Sequence, residues 1–99
     1  MKREFIVDNI LHSGRKADRY TPVYDQKYAG IMGYNVRFDV DNLRRGKSLH
    51  MDVLNSPIYD WWDTSMVLAA TIDERDDSWT IETENTIYIL KGVHNDNTD

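Results

Sequence analysis

His50 and Asp52 stand two residues apart in a segment that alternates apolar and polar residues, so on a strand they face the same way, about 7 Å from one another. An imidazole beside a carboxylate can move a proton. With a third donor such as His12 or Asp41 it can also ligate a cation. The spacing is generic, however, and an exposed His next to an exposed Asp is ordinarily a solvated strand face. Asp39-Val40-Asp41-Asn42 opens like a calcium loop, but its fifth position is Leu43 and its twelfth is His50, which lacks the bidentate carboxylate such a loop needs. Gly30-Ile31-Met32-Gly33 is neither a P-loop nor a dinucleotide fingerprint, and no serine sits in a nucleophile elbow. The chain has no cysteine, which removes disulfides, thiolate zinc sites and cysteine nucleophiles together. The expectation is a protein without enzymatic activity, cofactor or metal.

Binding chemistry is better represented. In Tyr59-Asp60-Trp61-Trp62-Asp63 two adjacent indoles cannot both point inward from a regular strand, because neighbouring side chains take opposite faces. One is expected to plug the core and the other to stand exposed between carboxylates, the kind of anchor that protein interfaces use. Burial of both, where the connector crosses the end of a barrel, is the competing arrangement. A second candidate is the acidic array Asp73, Glu74, Asp76 and Asp77, continued by Glu82 and Glu84, which Asp60 and Asp63 could adjoin. Such a row can steer a basic partner, in effect as a decoy for phosphates, or can serve only as solubilising charge on a turn. The opposite sign is concentrated in Arg44, Arg45 and Lys47, which together with His50, Tyr59 and Trp61 could hold an anionic, nucleotide-like ligand.

The charge is unevenly divided. The net value is −5, yet residues 1–50 carry ten Lys or Arg against six acids, while residues 51–99 carry two against eleven. The asymmetry points to an interaction surface, or to halves that neutralise one another in the fold. A chain with a pI near 5.0 is a poor general ligand for nucleic acid. A local patch built from Arg15, Lys16, Arg19, Arg44, Arg45 and Lys47 with Tyr20 or Tyr24 is the form that such binding would take. A composition 40% hydrophobic, 11% aromatic and 29% charged is that of an ordered globular protein. No apolar run approaches a membrane span and the N-terminus has no signal-peptide pattern, so a cytoplasmic protein is expected.

The elements that must position these residues are strands. Residues 65–72, 78–83 and 86–90 read as two consecutive tight hairpins, with a charged turn at 73–77 and a corner at Glu84-Asn85, where Asn85 suits a left-handed backbone. Residues 4–11 read as a strand, although the pairs Ile6/Ile10 and Val7/Leu11 would also fit a helix. Residues 12–19 form a basic loop, and 20–24 an edge segment marked by Pro22. Met32, Tyr34, Val36, Phe38 and Val40 alternate as the inward face of a strand, with a bend at Gly30 and Gly33. A turn at 41–47 uses Gly46 at positive φ and leads to a strand at 48–54, after which 58–65 is an aromatic connector. These elements make one all-β domain over residues 1–92, a small antiparallel barrel or strongly bent sheet of SH3-like type, with residues 93–99 as a frayed tail. An uncovered edge could pair with itself to form a homodimer, since no proline in the closing hairpins prevents it.

The ending Thr64-Ser65-x-Val67, then Trp79-x-Ile81-x-Thr83-x-Asn85-Thr86-x-Tyr88-x-Leu90, resembles the closing hairpins of small uncharacterised proteins of phages and mobile elements of Gram-positive bacteria. The resemblance covers about a quarter of the chain. It implies a small non-enzymatic protein of viral or mobile-element type. That class includes inhibitors of bacterial defence, such as anti-CRISPR proteins, which present acidic surfaces to nucleic-acid-binding sites. The function expected is therefore an inhibitor or adaptor of a host protein in the host cytoplasm, with Tyr59, Asp60, Trp61, Trp62, Asp63, Asp73, Glu74, Asp76 and Asp77 in contact with the partner. The alternative is a sponge or small enzyme using the His50/Asp52 face and the Arg44–Lys47 loop.

Overall fold

The computed structural model describes residues 1–12 and 26–93. Six strands follow one another as β1 (Lys2–His12), β2 (Asn35–Asp39), β3 (Ser48–Val53), β4 (Trp61–Asp73), β5 (Ser78–Thr83) and β6 (Thr86–Gly92). Each is antiparallel to the next and β6 returns to β1, so the sheet closes into a barrel in simple chain order. The all-β small antiparallel barrel is thus the fold that forms, and an SH3-like type is consistent with it. One helical turn, α1 (Gln26–Ala29), and a 3-10 turn at Val40–Asn42 are the helical pieces among the described residues. His12, expected to open the basic loop, ends β1 instead, and Val93, expected in the tail, donates its N–H to Glu4 O at 3.0 Å; the rest of the loop and edge segment, 13–24, and of the tail, 94–99, lies outside the described residues.

The helix-like spacing in residues 4–11 has a structural origin. The register of β1 on β6 shifts between Val7 and Asn9, and the Asn9 side chain accepts the Ile10 N–H at 2.9 Å. This bulge re-aims Ile10, so that Phe5, Val7 and Ile10 all enter the core. An inward pattern of five, seven and ten is a strand with one extra residue.

Three expectations change. The strand expected over residues 32–40 is only five residues long. Residues 30–34 instead form a turn with Gly33 at φ +81, which buries Ile31 rather than Met32. Val40 leaves the strand because the Asp39 carboxylate caps the 3-10 turn, accepting the Asp41 N–H at 3.0 Å. The aromatic connector at 58–65 is in its second half part of β4, paired with β3 through Asp52↔Trp61 and His50↔Asp63. The left-handed residue of the closing hairpins is Asp77, at φ 52, and not Asn85. The Glu84-Asn85 corner is held instead by the buried Thr83 hydroxyl, which donates to Thr86 O at 2.7 Å and accepts the Thr86 N–H at 3.1 Å. Gly46 does take positive φ, at +88.

One end of the core is an aromatic cluster. Phe5 stacks on Phe38 with centroids 4.9 Å apart, and Trp79 meets Phe5 edge-on at 5.0 Å. The Arg3 guanidinium lies over Phe5 and Trp79 and donates to the Asp77 carboxylate at 2.6 Å. Asp77 also accepts from Trp79 Nε1 at 3.1 Å, while its carbonyl accepts the Gly92 N–H at 2.9 Å. These three bonds offset the strain of a non-glycine residue in the left-handed region. A Cβ on Gly92 would run into the Asp77 carboxylate, with Arg3 at 3.0 Å. Gly92→Ala is therefore expected to open the Arg3–Asp77 pair and cost about 1–3 kcal/mol, read as a shift in urea midpoint; an unchanged midpoint would show that the triad contributes nothing.

At the other end, Tyr88 is buried on β6 and its hydroxyl accepts from Trp62 Nε1 at 3.0 Å. Burial pushes the phenol up to about 12, outweighing the Trp62 bond that favours the phenolate. The unfolded chain releases this proton near 10, so between pH 10 and 12 the folded state holds more protons and stability falls as pH rises. That one group removes about 2–3 kcal/mol over the window. Tyr88→Phe is expected to flatten that decline in alkaline denaturation curves, and an unaltered slope would count against the assignment.

Candidate binding face on strands β2 to β4

The outer faces of β2, β3 and β4 carry the residues singled out for chemistry, and cross-strand register decides which of them meet. Arg37 lies opposite Asp52, and Asp52 opposite Trp61. His50 lies opposite Asp63. His50 Nδ1 sits 2.6 Å from Asp63 Oδ1, and Nε2 sits 3.5 Å from Asp52 Oδ1. The imidazole is thus fixed between two carboxylates. It also stacks on Trp61, with ring centroids 6.1 Å apart and planes 27° from parallel. Among the described residues no group of three or more His, Cys, Asp or Glu could hold a metal. The two carboxylates and the indole together fix the orientation of the His50 ring on this face.

Of the two indoles, Trp62 turns inward and Trp61 outward. Trp62 packs between Tyr28 and Tyr59, each at 5.3 Å between centroids, and donates to Tyr88. The Tyr59 ring in turn lies over Gly30, where no side chain would fit. Trp61 is 57% exposed. Beside it the Ser56 hydroxyl accepts the Ile58 and Tyr59 N–H groups at 3.1 and 3.3 Å, a turn that leaves Ile58 65% exposed. Ile58, Tyr59, Asp60, Trp61, Trp62 and Asp63 line a shallow depression of about 520 Å³. Four apolar or aromatic side chains share it with the carboxylates of Asp60 and Asp63.

On the other side of His50 is an open cleft of about 690 Å³, into which Lys2, Arg37, Arg44 and Lys47 project beside Asp39 and Asp52. Four cations therefore face two carboxylates on a chain whose net charge is −5. Asp52 lies 3.7 Å from Lys2 Nζ. Asp39 is held by the Met1 ammonium at 2.7 Å, which keeps its carboxyl below the usual range. Among the described residues Arg37 and Lys47 have no carboxylate within ion-pair distance. Arg45 does not line the cleft, so the structure separates it from the ligand set of Arg44, Lys47 and His50. Lys2 and Arg37 are the cleft residues that sequence reasoning missed, because only barrel register brings residues 2, 37 and 47 together.

The acidic array is not part of this face. Trp61 begins β4 and Asp73 ends it, about 40 Å further along the strand at 3.3 Å per residue. Asp77 does not belong to the array as a free charge: its carboxylate is 15% exposed and engaged by Arg3 and Trp79. Asp73 caps its own turn by accepting the Arg75 N–H at 3.1 Å. Glu74 and Asp76 stay exposed at the tip. No helix of the described residues is long and apolar enough to cross a membrane. Comparison of the chain with protein-family models, curated proteins and solved structures gives no match in any of the three.

Proposed function

We propose that this is a small non-enzymatic binding protein that engages a partner protein through the Trp61 face, as an inhibitor or adaptor of a host protein. The observation that carries the reading is the exposed indole of Trp61, held on a strand by a stacked imidazole and bordered by Ile58, Asp60 and Asp63. An aromatic anchor pre-ordered in this way loses little entropy on binding, and such residues dominate interface energetics. Asp60 and Asp63 supply the polar rim and favour a partner with basic residues around an apolar pocket. A nucleic-acid-binding host protein has that chemistry. With the phage-type resemblance of the closing hairpins, an anti-defence role in the host cytoplasm, anti-CRISPR-like, is the form this reading takes.

The test is affinity capture from Gram-positive bacterial lysate with the protein as bait. Wild type retains a discrete protein, and Trp61→Ala loses it by roughly 30-fold or more, the effect of an interface anchor worth ~2 kcal/mol. Equal capture by both baits would overturn the reading.

A second reading rests on the cleft. Arg37 and Lys47, free of carboxylate partners among the described residues, are placed to hold a phosphate-bearing small ligand with Trp61 available for stacking beyond His50. In that case Lys47→Glu, and not Trp61→Ala alone, removes binding.

A further inference from the structure

The half of β4 that runs past the end of β3 has an open edge among the described residues. β3 pairs with β4 only as far as Ser48↔Met66. The last contact on that side is Val67, whose N–H donates to Lys47 O at 2.9 Å and whose carbonyl accepts the Gly46 N–H at 2.8 Å. Beyond it residues 68–73 pair with β5 on one side and, among the described residues, with nothing on the other. Met66 O faces β5, accepting from Glu84 N, so Val67 faces β3. The bulge between Val67 and Ala69 then shifts the alternation by one residue. Residues 69, 71 and 73 thus bond to β5, and Ala70 and Ile72 turn their amides to the open side. Leu68 is 37% and Ile72 48% exposed. Residues 68–72, Leu-Ala-Ala-Thr-Ile, have none of the lysines or prolines that normally blunt an edge.

We infer that this edge pairs antiparallel with the same edge of a second copy, across a two-fold axis at Thr71. The register follows from the amides. Ala70 of one copy and Ile72 of the other exchange both hydrogen bonds, and the two Thr71 side chains meet on the axis. The ends fit as well. The strand of the second copy stops where the Arg44–Lys47 loop closes on Val67. This places the turn that follows Asp73 in one copy, where Arg75 folds back to 3.6 Å from Asp73 and Glu74 and Asp76 stand exposed, beside Arg45 in the other. Arg45 and Glu74 are exposed, and no ion pair among the described residues involves either of them. A self-complementary apolar edge with opposite charges at its two ends selects a second copy of this chain over a foreign strand. The inference is independent of the Trp61 reading, which concerns the other end of β4.

Sedimentation velocity over a concentration series tests it. Wild type shows a dimer at tens of micromolar, and Ile72→Lys a folded monomer with the wild-type circular-dichroism spectrum. Glu74→Arg weakens the dimer at least tenfold, and adding Arg45→Glu to Glu74→Arg restores it. Recovery by the swapped pair reads the contact itself, so the test stands even if Ile72→Lys does not fold. A wild-type monomer throughout, or a dimer indifferent to both the edge lysine and the charge swap, would overturn the inference.

Discussion

Phe5→Ala is expected to destabilise the barrel by about 3–5 kcal/mol, against a total stability of about 5–15 kcal/mol for a domain of this kind. Phe5 is fully buried and touches both other rings of its cluster, Phe38 and Trp79. Removing it forfeits the apolar transfer free energy and leaves a void that strands cannot collapse into without breaking ladder bonds. It also uncovers one face of the Arg3 guanidinium, whose bond to Asp77 holds the β4–β5 turn. Two-state urea denaturation measures the effect. A loss below 1 kcal/mol would mean that the three-ring cluster does not carry the fold. Phe5→Leu, which keeps most of the volume, should cost well under half as much.

The adjacent tryptophans provide the second large contrast, because one backbone position separates structure from surface. Trp62→Ala removes a ring packed on Tyr28 and Tyr59 and leaves the buried Tyr88 hydroxyl without its donor. A loss of about 3–5 kcal/mol in stability is expected. Trp61→Ala removes an exposed ring and should change stability by less than about 1 kcal/mol, while the proposed partner capture falls by roughly 30-fold or more. The measurement pairs denaturation midpoints with capture yield for the same two variants. The opposite assignment, with Trp61→Ala unfolding the protein, would contradict the placement of the indoles on β4.

The closing hairpins were legible in the sequence because β5 alternates cleanly and β6 is dense in β-branched residues, both bounded by turn residues. The rule that neighbouring indoles face opposite sides was legible too, but not which one faces out; that choice depends on the register Asp52↔Trp61. In residues 4–11 the bulge at Val7/Asn9 breaks the two-residue period, so a strand imitates a helix. The strand expected from Met32 failed because alternation says nothing about where a carboxylate such as Asp39 will cap a turn, or where Gly33 will reverse the chain. The cleft was hidden for a different reason: Lys2, Arg37 and Lys47 are distant in sequence and converge only when β1, β2 and the loop before β3 are laid side by side. Asp77 looked like one charge among several. The left-handed backbone that brings its carboxylate to Arg3 and Trp79 leaves no mark in the pattern.

Native mass spectrometry of the purified protein, before and after mixing with bacterial lysate, separates the Trp61 face from the cleft in one experiment. A protein that acts through Trp61 shows a clean apo mass that gains one discrete protein partner from the lysate, with the gain absent for Trp61→Ala and retained for Lys47→Glu. A small anionic mass carried through purification and lost in Lys47→Glu, with no protein gained from the lysate, would assign the function to the cleft instead.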